Sequence, residues 1–304
     1  MSLLVIGTVA FDAIETPFGK TDKIVGGAAT YASLAASYFY KKTKIVAVVG
    51  DDFQTEDIQL LKNRGIDVEG LQIKKGEKSF FWSGKYHNDM NSRDTLVTEL
   101  NVLANFDPII PESYQDFEYL MLGNLTPQVQ QTVIKRLTKR PKLIVLDTMN
   151  FWMDIAMDDL LETIKMVDVL TINDAEARQL SGEFSLVKAA KEILTMGPKY
   201  LIIKKGEHGA LLFADDKIFS APALPLADVF DPTGAGDCFA GGFIGYLAQV
   251  DTINFNNMKN AIIFGSALAS LCVEKFGIER IKNLSDKEIA ERVQEFVKLS
   301  RFEL

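Results

Sequence analysis

The chain has 304 residues, 47% of them hydrophobic and 24% charged, and its 33 basic and 41 acidic side chains leave a net charge of −8. A chain of this size and composition buries a core without disulfides or metal, and its acidic balance disfavours non-specific binding to nucleic acid or an anionic membrane. Two cysteines, Cys238 and Cys272, and two histidines, His87 and His208, stand far apart in sequence, so no disulfide framework, zinc cluster or H-E-x-x-H motif can be drawn from them. No window of 18 uncharged apolar residues occurs, and Met1–Gly7 carries no basic n-region, so a cytoplasmic, reducing location is expected.

In chain order, Leu3–Gly7 reads as a short buried strand and residues 27–40 as an Ala- and aromatic-rich helix. Residues 44–49 form a second buried strand running into Gly50-Asp51-Asp52. Between 77 and 100 the texture changes: Ser79-Phe80-Phe81-Trp82 and Thr95-Leu96-Val97-Thr98 are β-prone and flank a polar, turn-like stretch. With residues 13–25, this region is predicted to form a small β lid inserted in one domain spanning 1–304. Strands follow at 143–146, 167–172 and 200–203, ending at Asp147, Asn173 and Lys204, and a further apolar run reaches Phe213. Helical patterns occupy 128–139, 154–165 and 186–196; two long helices are expected after Thr233 and Asn256, and a last one over 285–301. Strands alternating with helices predict an α/β fold with a mostly parallel central sheet covered by helices on both faces. Ligands of such sheets bind beyond the carboxyl ends of the strands, where several polar motifs fall.

The most informative stretch is Asp231-Pro232-Thr233-Gly234-Ala235-Gly236-Asp237-Cys238-Phe239-Ala240-Gly241-Gly242. Small residues there permit a tight turn and close approach of a ligand, and the first N–H groups of the helix that follows make an anion site. An acid in that first turn suits the helix dipole, but beside a bound phosphate it is repelled. Asp237 makes more sense facing an acceptor hydroxyl whose proton it takes. Elsewhere, Asn173 and Glu176 share one face at a helix start, as a capping box or as holders of Mg²⁺ waters. Lys204 ends a strand before Gly206-x-x-Gly209, where a cation can meet phosphate. Asp12 follows the first strand and can accept two hydroxyls, or be a plain turn aspartate.

The Asp231–Gly242 stretch resembles the signature of the ribokinase-like (PfkB) carbohydrate kinases. The similarity extends to Gly26-Gly27-Ala28-Ala29, Gly7-x4-Asp12, Asn173-Asp174-Ala175-Glu176 and Lys204-Lys205-Gly206-Glu207-His208-Gly209. It implies an ATP-dependent kinase of a small hydroxylated molecule. By that resemblance Asp237 is the base, and Gly234, Ala235 and Gly236 are the anion hole. Asp12, Gly26, Gly27 and Tyr31 face substrate, joined by Asn150 beyond the strand ending at Asp147; apart from the resemblance, Arg93 in the lid is a candidate to meet an anionic group of the acceptor, or a residue of a solvated loop. Asn173, Lys204, Gly206 and Gly209 serve the nucleotide, with Ser266 and Gly277 on the adenine side. The implied cofactors are ATP and Mg²⁺, the latter near Glu176 through water, and a backbone oxygen of Asp231 is a candidate for a monovalent cation such as K⁺. Two departures concern the acceptor: Tyr31 stands where the family commonly has Asn, and Gln54 where glycine is usual.

The acceptor is thus expected to be a sugar or sugar-like metabolite phosphorylated on a primary hydroxyl. A nucleoside kinase of the same family, or a non-catalytic ligand-binding protein on the same scaffold, is the alternative. A nicotinamide oxidoreductase ranks low, because Gly7-Thr8-Val9-Ala10-Phe11-Asp12 is not G-x-G-x-x-G. The expected partners are the small-molecule substrate and, through apolar lid residues Phe80, Phe81 and Trp82, a second copy of the chain in a homodimer; no nucleic acid and no membrane are expected.

Overall fold

The structure, a computed structural model, describes residues 2–301. It opens with strands β1 (Leu3–Ile6), β2 (Ala10–Thr16), β3 (Gly19–Lys20) and β4 (Ile24–Gly26), then helix α1 (Ala28–Ser37) and strand β5 (Thr43–Gly50). Next come α2 (Thr55–Asn63), β6 (Asp67–Lys74), β7 (Phe81–Tyr86), β8 (Arg93–Glu99), β9 (Tyr119–Leu122) and α3 (Pro127–Lys135). They are followed by β10 (Leu143–Asp147), α4 (Asn150–Ile155), α5 (Met157–Ile164), β11 (Val169–Asn173), α6 (Asp174–Ser181) and α7 (Leu186–Thr195). The chain ends with β12 (Tyr200–Lys204), β13 (Ala210–Ala214), β14 (Lys217–Ala221), α8 (Ala235–Val250), α9 (Phe255–Cys272) and α10 (Asp286–Ser300).

Nine strands make one sheet in the order β14-β13-β12-β11-β10-β9-β1-β5-β6, parallel except where β13 and β14 fold back on β12. The central strands are unbroken apolar runs because helices cover both faces. Along β1 the pleat sends Leu3 and Val5 to one layer and Leu4 and Ile6 to the other, and the two sets belong to separate core clusters. One cluster lies under α1, α8 and α9, the other under α3, α5 and α7.

All ten residues of α1 are buried, because its alanines let α8 approach closely. A methyl on Gly241 would run into the Ala32 carbonyl oxygen, and one on Gly245 would lie 2.8 Å from the Ala36 Cα. This contact seats the start of α8 firmly over the carboxyl ends of the sheet.

The lid is a second sheet in the order β3-β2-β7-β8, with β4 also on β2. It starts earlier than the predicted residue 13: Phe11 and Asp12 already pair with Phe81 and Trp82, so Asp12 is a lid-strand residue rather than part of a turn after β1. Phe80, Phe81 and Trp82 are half-buried, and the exposed large apolar side chains of the lid are Phe18 in the β2–β3 turn and Leu96 and Val97 on β8. The helix predicted at 154–165 is two helices broken at Ala156, whose backbone (φ −145°, ψ 38°) leaves the helical region.

Gly241→Ala is expected to lower the unfolding free energy by about 1–3 kcal/mol through overpacking. A urea midpoint unchanged from the wild type would contradict the close α1–α8 contact.

Candidate active site

The carboxyl ends of β10, β11 and β12 bring Asp147, Asn173 and Lys204 side by side, since Asn173 pairs with Lys204 in register and β10 flanks β11. Lys204 Nζ donates to Asp147 Oδ1 at 2.7 Å, and the Thr171 hydroxyl donates to the same oxygen at 2.6 Å. Burial works against the Lys204 charge, yet Asp147 and Glu176 together hold its ammonium above the ordinary lysine range. The same ammonium lies 3.2 Å from where a Cβ on Gly236 would be, so the cation sits directly off the glycine bend.

Gly234 caps α8 in the left-handed region at φ 75°, a conformation glycine adopts without steric cost. The Ala235 N–H turns back to Pro232 O at 3.2 Å, so Ala235 does not offer its amide to a ligand. Among the described residues, no oxygen accepts from the N–H of Gly234 or Gly236. Tyr31, on α1, lays its ring against Gly234 from behind. The bend is therefore backed by an aromatic wall, while Pro232 to Asp237 remain half-exposed.

Asp237 follows in the first turn of α8. Burial pushes its carboxyl up to about 7, Asp147 adds to that push, and Lys204 and Arg93 oppose it. Asp12 is 5% exposed and accepts the Gly27 N–H; its carboxyl occupies the space that a Gly26 side chain would fill. Burial, Asp231 and Asp237 raise it to about 7 as well. The Tyr31 hydroxyl is buried near Asp12 and Asp231 without a hydrogen-bond partner.

Asn173 and Glu176 make a reciprocal capping box at the start of α6. Asn173 Oδ1 accepts the Glu176 N–H and Glu176 Oε2 accepts the Asn173 N–H, both at 2.8 Å. Burial raises the Glu176 carboxyl, partly countered by Lys204. The capping reading of these residues is thus realised, and one Glu176 oxygen stays uncommitted. Gly206 (φ 54°) and Gly209 (φ 84°) form the turn after β12, and lid residue Asn91 reaches over to Gly206.

Other predicted residues fall differently. Asn150 is exposed at the start of α4, while Asp147 and Thr148, just before it, are buried. Gly277 lies against Ile24 and near Tyr31, and its N–H donates to Asp231 Oδ2 at 2.7 Å. It therefore supports the aspartate turn beside Tyr31. Asp231 accepts the Thr233 N–H on its other oxygen at 2.9 Å, and burial raises its carboxyl. Ser266 is half-exposed within α9. Arg93 is exposed at the start of β8 with its guanidinium 5.8 Å from the centre of the Trp82 ring. Cys238 and Cys272, distant in sequence, are buried free thiols close enough behind the bend for Cys272 to raise the Cys238 thiol.

A family model described as pfkB family carbohydrate kinase matches residues 2–283. The chain is 33% identical to a cytidine kinase of Thermococcus kodakarensis over 250 residues, 80% of this chain and 87% of that one. It is 26% identical to a rice (Oryza sativa) fructokinase-2 over 281 residues, 84% of this chain and 81% of the other. The crystal structure of Methanocaldococcus jannaschii nucleoside kinase superposes with a TM-score of 0.76 at 21% identity, covering 97% of this chain and 99% of that one.

A carboxyl raised by burial makes the folded state bind a proton that the unfolded chain has released, so stability falls as pH climbs from about 4 through 7. Asp237→Asn removes that cost. Its Tm is expected to exceed the wild type's at pH 8, by a margin that narrows at pH 5; equal Tm values at pH 8 would contradict the raised carboxyl.

Proposed function

The chain belongs to the pfkB family of carbohydrate kinases and is a phosphotransferase acting on a hydroxyl group; from that premise we propose that it transfers the γ-phosphoryl of ATP to a primary hydroxyl of a small sugar or sugar-like metabolite. One observation supports this reading above the others: Asp237, raised to about 7, stands beside the unpartnered Gly234 and Gly236 amides. A carboxylate with that proton affinity removes a proton from an attacking alcohol near neutral pH.

In this reading Asp237 takes the proton while the Gly234 and Gly236 amides stabilise charge on the migrating group. Lys204 and Arg93 add positive charge from the sheet and the lid. Asp12 accepts substrate hydroxyls, Gly26 and Gly27 allow close approach, and Tyr31 walls the acceptor side. Asn173, Gly206, Gly209 and Ser266 line the nucleotide side. Mg²⁺, when bound, neutralises charge on the phosphate oxygens. The free Glu176 oxygen fits a cation that keeps most of its waters. Both Asp231 carboxylate oxygens are committed to amides, which leaves its carbonyl as the group for K⁺. Exposed Leu96 and Val97 are the surface through which we expect a homodimer to form. Among the described residues no helix is long and apolar enough to cross a membrane. We place the protein in the cytoplasm, where ATP is available.

A nucleoside is the second acceptor class, favoured by the 33% identity to a cytidine kinase. Its ribose offers the same primary hydroxyl, and Tyr31 in place of Asn changes the wall that would meet it.

A phosphorylation screen over pentoses, hexoses, sugar acids and nucleosides identifies the acceptor. With the acceptor so found, Asp237→Asn is expected to cut turnover by about 10²- to 10⁴-fold while ATP still raises the Tm. Near-normal turnover would contradict the base assignment. Glu176→Gln is expected to raise the Mg²⁺ concentration needed for half-maximal turnover; an unchanged requirement would remove Glu176 from the metal's surroundings.

A further inference from the structure

The lid meets the catalytic loop through a contact the reading above does not use. Tyr86 closes β7 and is 5% exposed, and its phenol oxygen accepts the Thr233 hydroxyl at 3.2 Å. Thr233 immediately precedes Gly234. Its other polar groups are held from behind: its N–H donates to Asp231 Oδ1 at 2.9 Å, and its carbonyl accepts the Cys272 thiol at 3.8 Å. Those two partners belong to the loop and to α9. Among the described residues, Tyr86 is the one hydrogen-bond partner of Thr233 that the lid carries, so lid opening must break that bond.

Two further observations tie the same lid edge to the phosphate side. Asn91, in the turn after β7, sets its Oδ1 2.6 Å from where a Gly206 Cβ would lie. Arg93 is the cross-strand partner of Tyr86 and so shares its face of the lid sheet. The guanidinium charge acts on both Asp237 and Glu176. A lid held at Tyr86 therefore also holds a cation near the acid.

We propose that Tyr86 is a positioning residue whose hydrogen bond to Thr233 latches the lid and sets the bend before Gly234, coupling proton removal to closure. The proposal rests on the kinase reading above. The phenol acts through Thr233 and touches neither phosphate nor acceptor. A neutral hydrogen bond shifts an equilibrium by roughly three- to tenfold. That is enough to bias a lid towards closure and weak enough to break in every turnover.

The test is a double-mutant cycle of Tyr86→Phe and Thr233→Val in the full chain, read by amide hydrogen exchange with ATP and Mg²⁺ and without acceptor. Each single variant is expected to speed exchange over residues 81–99 and 231–237 together by roughly three- to tenfold, and the double variant no further than either single. Thr233→Ser, which keeps the hydroxyl, is expected to exchange like the wild type. In turnover with the fastest acceptor of the screen, Tyr86→Phe is expected to lower kcat with the KM for ATP unchanged, and to raise ATP hydrolysis relative to transfer. Additive effects in the cycle, or unchanged lid exchange in Tyr86→Phe, would overturn the latch. The exchange arm needs no acceptor: a chain that phosphorylates nothing on the screen defeats the kinase reading, while exchange alone still decides the latch.

Discussion

Negative charge gathered in a poorly hydrated cleft is the constraint from which the rest of the site follows. Asp12, Asp147, Glu176 and Asp231 are all buried, and Asp237 stands half-buried among them. Each is disposed of differently. Asp147 has the Lys204 ammonium and the Thr171 hydroxyl, Asp231 has the Thr233 and Gly277 amides, and Glu176 caps its own helix. Asp12 and Asp237 are left with little compensation, and both carboxyls rise to about 7. A carboxyl so raised takes up or releases a proton near neutrality, the property a general base requires.

The scaffold keeps that arrangement from relaxing. Asp147, Asn173 and Lys204 end three adjacent parallel strands whose preceding residues are buried, so none can retreat without disturbing the sheet. On the other side, the close α1–α8 contact presses the Tyr31 ring onto Gly234 and fixes the bend from behind. The lid adds a second, smaller sheet to the site. It carries Asp12 and Arg93 on its strands and touches the catalytic loop at Tyr86 and the Gly206 turn at Asn91. In the proposed reading, acceptor-side and phosphate-side groups are thus joined through one small sheet, which would link lid closure to completion of the site.

Much of this was legible in the sequence, because parallel strands buried on both faces read as apolar runs and polar residues mark where they stop. Asp147, Asn173 and Lys204 announced strand ends in that way, and the glycines around Asp237 announced the bend. Other elements left weaker marks. Strand β9 is only four apolar residues between irregular segments, too short to separate from a buried turn. Strand β14 lies at the sheet edge, and β6 is mostly exposed or half-buried, so neither shows a clean apolar face. That Asp12 lies on a lid strand is hard to read from sequence, because β1 and β2 are separated by only three residues and belong to different sheets. The contacts of Tyr86 with Thr233 and of Cys238 with Cys272 join residues far apart in the chain, and no spacing rule brings them together. Ala235 lost its expected part because its amide closes a turn onto Pro232.

The central claim is that a burial-raised carboxyl at Asp237 deprotonates the acceptor, and the pH dependence of kcat/KM tests it most directly. With the folded carboxyl near 7, the base form grows as pH rises. The rate constant is expected to climb about tenfold per pH unit below 6 and to level off above 7.5, with an apparent pKa near 7. A profile flat from pH 5 to 8 would mean that no such group controls the transfer, and would contradict the account.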